Sequence, residues 1–427
     1  MVGGGAREHT LVWKLAQSPK AREIYVAPGN AGTAQIARNL DITATDIKAL
    51  AGAVQEKGIE LVVVGPEAPL ANGITDYLQQ IGIPVFGPTK QATEIESSKV
   101  FAKALMQKYN IPCARSASFS DYEQAKDYLQ RQTLPIVVKA DGLAAGKGVT
   151  VASAVAEALD ALDRAMKSKV FGAAGDRVVI EECLSGKEMS AFAFTDGTAV
   201  VPMVAACDYK RAYDGDQGPN TGGMGSYSPP YFLTPALEKQ VMETIMAPTV
   251  KALAAEGRPY KGVLYGGLMI TPDGPACHSS GGAAGRPKAL EFNARFGDPE
   301  AQVILPRLKT DLVEIILAIL DNKLAQMKIE WREDACVGVV MASGGYPGSY
   351  KTGFPIHSLN DVDKDIMVFH AGTKLADGQV VTNGGRVLTI AATGKTIAEA
   401  RKKVYGNISR ISFEGAHYRK DIAVIEK

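Results

Sequence analysis

The first part of the chain alternates short apolar runs with helical patterns. Three such runs lead into Pro or Gly: Ile24–Val26, Leu61–Val64 and Val85–Phe86. Helical spacing lies between them, for example at Leu11, Val12 and Leu15. This alternation predicts a parallel sheet covered by helices, a class in which ligands bind at the carboxyl ends of the strands. Because only Met1 and Val2 precede the first glycines, the usually central first strand is expected to be almost missing.

The predicted strand ends lead into loops of small residues, whose backbone N–H groups could approach an anion. These loops are Gly3–Gly5, Pro28–Thr33 and Gly65–Pro69. A dinucleotide fingerprint fits poorly, because Glu8 stands where a third Gly is needed and Pro28 follows the second strand instead of an acidic residue. A nicotinamide or flavin cofactor is therefore disfavoured. The alternative to an anion site is that the glycines only make tight turns.

Two lysines stand out in the middle of the chain. Ser97 or Ser98 can cap a helix over 97–110, whose first turn carries Lys99. A lysine there opposes the helix dipole, so Lys99 is either solvated or held by an anion. A buried strand over 135–139 places Lys139 at its end.

A Gly-rich segment, Ala140–Val149, follows Lys139 and runs into another strand, Val149–Ala152. It is not a Walker A loop, since Gly142 and Gly146 are one residue too close and Gly148 replaces the Ser or Thr. The pattern predicts a flap that closes over phosphates, with a flexible hairpin tip as the alternative.

Two further polar segments suit a nucleotide or substrate. A strand over 177–183 ends near Glu181 and Glu182, where the backbone could read an adenine edge and Glu188 could accept from ribose hydroxyls. The alternative is a strand with a polar end. Residues 207–227 are predicted to form a long loop with little regular structure, a feature that is usually functional or disordered.

The stretch Glu291–Gln302 starts as a strand, so alternate side chains share a face. The polar face and the apolar face are Glu291, Asn293 and Arg295 against Phe292, Ala294 and Phe296. The carboxylate and amide oxygens suit Mg²⁺, and the guanidinium can clamp a phosphate or carboxylate. The alternative is a surface strand with a chance polar face.

The rest of the pattern predicts mainly structural elements. Helices are expected at 155–168, 235–256, 306–324 and 396–408, and strands at 263–270, 289–295, 337–341, 367–373 and 386–391, with a hairpin turn at Asp377-Gly378. Residues 275–287 are expected to form a mobile surface loop without a role for Cys277 or His278. No catalytic set is recognisable after residue 331.

The amino-acid composition narrows the class of protein. The 427 residues suggest two to four domains, and 46% hydrophobic with 22% charged residues is ordinary for a globular protein. A net charge of +1 gives no indication of nucleic-acid or acidic-lipid binding. Neither a transmembrane segment nor a signal peptide is predicted. Five scattered cysteines favour a reducing compartment over disulfides or zinc. We expect a cytoplasmic monomer that acts on small molecules.

In this order, the two lysines, the flap, the paired carboxylates and Glu-x-Asn-x-Arg resemble the ATP-grasp superfamily. Pro28–Thr33, Pro219–Gly225 and Arg295–Gln302 are similar to motifs of the phosphoribosylamine–glycine ligase family, also called glycinamide ribonucleotide synthetases. The resemblance covers essentially the whole chain. It implies a multidomain α/β and α+β fold. The expected domains are a parallel α/β domain (1–95), an ATP-grasp domain (96–328, flap about 118–188) and a small mixed domain (329–427).

The resemblance also implies an activity: ATP, glycine and 5-phospho-β-D-ribosylamine would give glycinamide ribonucleotide, ADP and phosphate in de novo purine synthesis. The catalytic residues would be Lys99, Lys139 and Arg295, with Arg295 steadying an acyl phosphate. Glu291 and Asn293 would hold Mg²⁺ or Mn²⁺. The ATP site would comprise Lys99, Lys139, Gly142, Gly146, Lys147, Gly148, Glu181, Glu182, Cys183, Leu184 and Glu188.

The resemblance implies two groups of substrate-binding residues. Glycine and the sugar would be bordered by Asp208, Lys210, Arg211, Asp214, Thr221, Gly222, Gly223, Met224 and Gly225. The ribose phosphate would be bound by Gly4, Gly5, Arg7, Glu8, Asn30, Gly32, Thr33, Pro66 and Glu67.

Two departures from the family pattern leave rival interpretations open. They are the short first strand and the long 275–287 loop, which enters beside the metal strand and could perturb Glu291. The rivals are a non-catalytic nucleotide-binding protein on the same fold and another ATP-grasp carboxylate–amine ligase.

Overall fold

The computed structural model describes residues 1–143, 148–272 and 285–425. Its N-terminal unit contains β1 (Val2–Gly3), α1 (Ala6–Leu15), β2 (Tyr25–Pro28), β3 (Arg38–Asn39), α2 (Ile47–Glu56), β4 (Val62–Val63), α3 (Glu67–Ala71), α4 (Ile74–Gln80), β5 (Val85–Phe86) and α5 (Lys90–Ser97). The strands are parallel and lie in the order β3-β2-β1-β4-β5, with β1 joined to β4 through a bridge between Val2 and Val64. The predicted parallel α/β arrangement is confirmed.

The first strand is short, as expected, but the sheet is not one strand short. Val2 pairs with Ala27 on one side and bridges to Val64 on the other, so β1 is central. In this register Tyr25 lies beyond the start of β1, and a cavity of about 780 Å³ adjoins Met1 and Tyr25 there. The two residues of β1 suffice to place Gly3 and Gly4 at the carboxyl edge.

The middle unit contains α6 (Lys99–Lys108), β6 (Ser116–Phe119), α7 (Tyr122–Gln130), β7 (Ile136–Ala140), β8 (Val149–Ala152), α8 (Val155–Leu162), β9 (Val178–Glu182), β10 (Lys187–Thr195), β11 (Val200–Pro202), β12 (Cys207–Asp208), β13 (Arg211–Tyr213), β14 (Gln217–Asn220), β15 (Gly225–Ser228), α9 (Pro235–Val241), α10 (Ala247–Ala255), β16 (Gly262–Thr271), β17 (Arg286–Asn293), α11 (Ala301–Ile304) and α12 (Leu312–Leu320). The antiparallel sheet β6-β9-β7-β8 packs on α7 and α8 around a separate small core that includes Leu129, Val138 and Ile180. A second antiparallel sheet, β11-β10-β16-β17, carries the predicted metal strand.

Three expectations about local structure were wrong in this unit. Residues 207–227 contain the short strands β12, β13 and β14 and the start of β15 instead of an irregular loop. The predicted helix over 306–324 is broken: Pro306 lies in a short 3₁₀ turn, and Asp311 caps a new helix by accepting the N–H of Val313 at 2.8 Å. Strand β17 ends at Asn293, so Arg295 lies beyond it, although the alternation of buried and partly exposed residues continues to Phe296.

The C-terminal unit contains β18 (Ala335–Ala342), β19 (Ile366–His370), β20 (Thr373–Ala376), β21 (Gln379–Thr382), β22 (Arg386–Gly394) and α13 (Ile397–Ile408). The predicted hairpin turn is confirmed, with positive φ angles at Asp377 and Gly378. Its main sheet has the order β12-β15-β18-β22-β19, so strands from before residue 229 and after residue 334 share one sheet. The C-terminal unit is thereby joined directly to the segment that contains Pro219–Gly225.

The largest core runs through the middle and C-terminal units and includes Leu105, Phe292, Val339 and Ile390. Burial of these side chains joins the elements that surround the candidate site. None of the helices in the described ranges is long and apolar enough to cross a bilayer.

Candidate active site

Glu291 lies at the centre of the site, on the strand where the sequence predicted a metal ligand. On one rung of the sheet Ser190, Gly267 and Glu291 lie side by side. Gly267 has no side chain to cover the carboxylate; a Cβ there would lie 3.3 Å from Cγ of Glu291. Two rungs further along, and so on the same face, Asn293 lies opposite Tyr265. The sheet therefore presents the two predicted oxygen donors from one face.

The charges of four cations act on this carboxylate. Although burial opposes ionisation, the charges of Lys210, Lys139, Lys99 and Arg295 together hold the pKa of the Glu291 carboxyl below its usual value. Glu291 is thus anionic at neutral pH, and the four cations whose charges act on it are called the cationic ring below. Such a ring suits a site where anionic groups must be brought together.

Lys139 reaches the site from the end of β7, as predicted. Its ammonium pairs with Glu181 on β9 and lies 3.3 Å from the carbonyl oxygen of Leu290. Glu181 also pairs with Lys103 at 2.5 Å, and all three side chains are buried. Because the Glu181 side chain is committed to two lysines, it already has its partners within the protein, and the adenine role of Glu181–Leu184 stays a prediction.

Lys99 lies in the first turn of α6. Ser98 caps this helix, and Asp141 accepts the N–H of Val100 at 3.1 Å. The ammonium of Lys99 donates to the carbonyl oxygen of Gly142 at 2.9 Å. Burial lowers the pKa of Lys99, an effect that the charge of Glu291 partly offsets. The N-terminal end of the helix and its lysine therefore lie against the start of the Gly-rich segment.

The guanidinium of Arg295 is held by two carboxylates of the N-terminal unit. Its Nε lies 2.8 Å from Glu67 on α3, and one terminal nitrogen lies 2.9 Å from Glu96 on α5. Glu96 also accepts the N–H of Ala294 at 2.7 Å. Burial opposes the charge of Arg295, but Glu96 and Glu67 raise its pKa, so it is a permanent cation. Arg295 is oriented before any ligand arrives.

A second group of charges lies on β10, on β12 and just after β12. Lys210 pairs with Glu188 at 2.6 Å. Burial raises the pKa of the Asp208 carboxyl to about 7, with Lys210 opposing and Glu300 and Glu188 adding to the effect. Asp208, Lys210 and Glu188 thus form one connected cluster beside Glu291.

Buried Glu300 acts on this cluster through its charge, which helps to raise the pKa of Asp208. One of its oxygens accepts from the hydroxyl of Tyr265 at 2.7 Å and from that of Ser190 at 3.1 Å. These hydrogen bonds join the turn after Arg295 to the β11-β10-β16-β17 sheet.

The segment Pro219–Gly225 is anchored on both sides. Thr221 donates its N–H and its hydroxyl to the carbonyl oxygen of Lys210, at 2.7 and 2.9 Å. Met224 donates to the carbonyl of Tyr209 at 2.7 Å, and Gly225 pairs with Val339 in the shared sheet. The segment is thereby brought next to the Lys210 cluster, and its role in bordering a substrate stays a prediction.

The predicted anion loops of the N-terminal unit are already bridged by side chains. Glu8 accepts the N–H of Gly5 at 2.6 Å and lies 2.5 Å from Nε of Arg7. Asn30 accepts from Gly32 at 2.8 Å and from Thr33 at 3.0 Å. These N–H groups are therefore engaged within the protein.

The same loops are joined to other parts of the chain. Asn30 donates to the carbonyl of Gly4 at 3.0 Å, and Arg7 donates to that of Phe296 at 3.2 Å. Pro66 precedes α3, whose first residue, Glu67, contacts Arg295. The phosphate role of these loops stays a prediction.

Several predicted residues lie away from the centre or outside the described ranges. Arg211 and Asp214 are exposed on the β13–β14 hairpin, where Arg211 donates to Gly218 and Asp214 accepts from the N–H of Lys420. Gly148 accepts from Ala140 at the base of the β7–β8 hairpin. Gly146 and Lys147 lie outside the described residues, as does most of the 275–287 loop with Cys277 and His278.

The sequence analysis did not assign four residues that contact the site: Glu96, Asp141, Glu300 and Arg386. Glu96 follows Ala92 and Thr93 on the buried face of α5, and a carboxylate on such a face was a usable signal. Asp141 and Glu300 stand inside motifs already noted. Arg386 has no local signal, because its partners are distant in the sequence.

Comparison with known proteins agrees with this architecture. Family models for the N domain, the ATP-grasp (A) domain and the C domain of phosphoribosylglycinamide synthetase match residues 1–96, 97–301 and 336–425. The chain belongs to the phosphoribosylglycinamide synthetase family. The middle unit of this synthetase-family chain is an ATP-grasp domain, as expected.

Relatives match over nearly the full length. Phosphoribosylamine–glycine ligase of Caldanaerobacter subterraneus subsp. tengcongensis is 50% identical over 423 residues, covering 99% of this chain and 98% of the relative. That of Escherichia coli O6:H1 is 49% identical over 426 residues, covering 99% and 97%.

Solved structures agree at the level of the fold. A crystal structure of the Thermotoga maritima ligase superposes with a TM-score of 0.84 at 35% identity, covering 99% of this chain and 98% of that one. Biotin carboxylase of Campylobacter jejuni superposes with a TM-score of 0.75 at 13% identity, covering 97% and 91%, and so shares the fold alone. The synthetase family therefore uses an architecture that is found beyond it.

Proposed function

We propose that the protein joins glycine to 5-phospho-β-D-ribosylamine at the expense of ATP, giving glycinamide ribonucleotide, ADP and phosphate in de novo purine synthesis. The observation that supports this most strongly is the ring of Lys99, Lys139, Lys210 and Arg295 around Glu291, in a chain of this family. A carboxylate is a poor electrophile, and phosphorylation by ATP turns glycine into glycyl phosphate, which an amine can attack.

The cationic ring supplies the charge compensation that this phosphorylation needs. The glycine carboxylate and the γ-phosphate repel each other, and preoriented cations offset that repulsion while holding both groups in line. Lys99 and Lys139 would hold the nucleotide phosphates, and Arg295 would steady the acyl phosphate. The hairpin that contains Gly142 and Gly148 would cover the phosphates and limit hydrolysis of the intermediate.

The two oxygen donors on β17 fit a hard divalent cation. Glu291 is anionic, and Asn293 offers an amide oxygen two residues away on the same face. Mg²⁺ or Mn²⁺ needs one or two such ligands and fills its remaining positions with water and phosphate oxygens. When bound, the ion would offset phosphate charge.

The proposed placement of the substrates rests on the Thr221–Gly225 loop and on the loops of the N-terminal unit. Thr221–Gly225, with Asp208 and Lys210, would border glycine and the sugar, whereas the N-terminal loops would bind the ribose phosphate. Arg211 and Asp214 would contact a substrate only where it reached the β13–β14 hairpin, because both side chains are exposed there.

The decisive experiment is an ADP-release assay in which each substrate is omitted in turn. ADP formation should require both glycine and the phosphoribosyl amine. Nucleotide binding without glycine-dependent turnover would favour a non-catalytic protein, and equal turnover with other amino acids would favour another carboxylate–amine ligase.

The expectations of a cytoplasmic monomer that binds neither nucleic acid nor membranes stay predictions. The net charge of +1 supports the expectation about nucleic acid. Size-exclusion chromatography with light scattering would measure the oligomeric state.

A further inference from the structure

Arg386 of the C-terminal unit contacts two segments of the candidate site at once. One terminal nitrogen donates to the carbonyl oxygen of Gly222 at 2.6 Å and to that of Asp298 at 3.0 Å. The other pairs with the carboxylate of Asp298 at 3.1 Å. A single guanidinium therefore joins the Pro219–Gly225 segment to the turn that follows Arg295.

The contact is largely shielded from solvent and charged on both sides. The side chains of Arg386 and Asp298 are 21% and 16% exposed. Although burial opposes both charges, Arg386 lowers the pKa of the Asp298 carboxyl, and Asp298 raises the pKa of Arg386. Removing one partner of such a pair leaves the other charge poorly compensated, so the two groups stabilise each other's position.

The loop is shaped to let the guanidinium approach. A Cβ on Gly222 would lie 3.0 Å from Cζ of Arg386, closer than side chains normally pack. Gly223 has a φ of +109° and packs against Pro299, a conformation that favours glycine. The hydroxyl of Tyr346, also in the C-terminal unit, accepts the N–H of Gly222 at 3.0 Å. Both glycines are thus held by the C-terminal unit, because Arg386 also donates to the carbonyl oxygen of Gly223 at 3.5 Å.

The sheet explains how a distant residue reaches this place. Strand β22 begins at Arg386 and lies two strands from β15, which starts at Gly225. The loop before β15 and the first residue of β22 therefore lie at neighbouring points of one sheet. On its other side the loop is bonded to the carbonyl oxygen of Lys210, whose ammonium belongs to the ring around Glu291.

We propose that Arg386 is a positioning residue for the ligase reaction, which holds Gly222–Gly223 and the Asp298 turn in the arrangement that binds glycine and the phosphoribosyl amine. This inference rests on the proposed function, because the loop is the part assigned to those two substrates. Lys99 and Lys139, which are assigned to ATP, lie on other elements that Arg386 does not contact.

The test compares Arg386→Met with Arg410→Met, which removes an exposed arginine of the same unit that pairs with Asp363. Arg386→Met should raise KM for glycine or the phosphoribosyl amine roughly tenfold and leave KM for ATP within about twofold. Arg386→Lys should recover part of the loss, because an ammonium retains the charge without the forked geometry. Arg410→Met should behave as the parent protein.

Hydrogen exchange provides a readout that does not depend on turnover. In Arg386→Met the backbone amides of residues 221–224 should exchange faster, whereas those of β7 and β9 should not change. An inactive parent protein would contradict the proposed function, yet the exchange data would still decide whether Arg386 holds the loop. Unchanged exchange, or an equal change in KM for all three substrates, would overturn the inference.

Discussion

Arg295 shows how one side chain can be oriented before a ligand is present. The sequence analysis treated it as a clamp for phosphate on the polar face of a strand. In the structure its guanidinium contacts Glu67, Glu96 and the carbonyl oxygen of Phe296, and all three contacts restrict its rotation. Preoriented donors need no rearrangement when charge develops, which is how such groups accelerate phosphoryl transfer.

Arg295→Lys is expected to lower kcat/KM about 100-fold. A lysine keeps the charge but cannot contact Glu67 and Glu96 together in the forked geometry. Steady-state kinetics with ATP, glycine and the phosphoribosyl amine would measure the change. The control is Arg258→Lys, where the arginine pairs with Glu94 at 2.6 Å outside the site. Kinetics that matched the parent protein would mean that Arg295 is structural.

Two consecutive carboxylates on strand β9 have different roles. Glu181 and Glu182 point to opposite sides of the strand, because side chains alternate. Glu181 is buried between Lys103 and Lys139, whereas Glu182 pairs with Arg115, whose side chain is 89% exposed. The same residue type therefore compensates a buried charge in one case and makes a surface ion pair in the other.

Glu181→Gln should reduce the free energy of unfolding by about 3 kcal/mol, because it leaves two buried ammonium groups without a full counter-charge. Glu182→Gln should change it by no more than about 1 kcal/mol, since exposed ion pairs contribute little. Urea denaturation of both variants and the parent protein would measure the difference. Equal losses in the two variants would contradict the assignment.

The N-terminal and C-terminal units also touch directly, through two histidines. His9 on α1 accepts the N–H of His370 at 2.8 Å, and His370 bonds to Thr373 at 3.1 Å. Burial lowers the pKa of His9 to about 3, with the charge of His370 adding to the effect, and burial lowers the pKa of His370 to about 4. Both imidazoles are neutral in the folded protein at any ordinary pH.

This pair predicts a loss of stability in mild acid. The unfolded histidines bind a proton near pH 6.5, whereas the folded ones do not until about pH 3 to 4. Above pH 6.5 these histidines therefore do not reduce the free energy of unfolding. Below that value each histidine lowers the free energy of unfolding by about 1.4 kcal/mol per pH unit.

The measurement is denaturation at pH 7 and pH 5 for the parent protein, His9→Asn and His357→Asn. Asparagine at position 9 retains an acceptor for His370 but has no proton to bind, so that variant should lose about 2 kcal/mol less between the two pH values. His357 is exposed and serves as the control. The same pH dependence in all three proteins would rule out His9 as the cause.

Local patterns in the sequence were sufficient for most of the elements and for several candidate ligands on them. Alternation along Glu291–Phe296 predicted which side chains share a face, and Lys139 was expected at a strand end and lies there. These features depend on the two-residue period of a strand and on neighbours a few residues away. The break at Pro306 and Asp311 was also readable locally but was missed, because the apolar spacing of a longer helix was given more weight.

Long-range pairing decided the rest. No neighbouring residue indicates the partners of Glu96, Glu181 or Arg386, since each partner lies on a different element. Glu96 holds Arg295, Glu181 holds two lysines, and Arg386 holds the Gly222–Gly223 loop. The sheet that joins β15 to β18 and β22 brings the C-terminal unit to the site, although the sequence showed no catalytic set there. Which charges neutralise one another depends on burial and on distances across the sheets, and both exist only once the chain is packed.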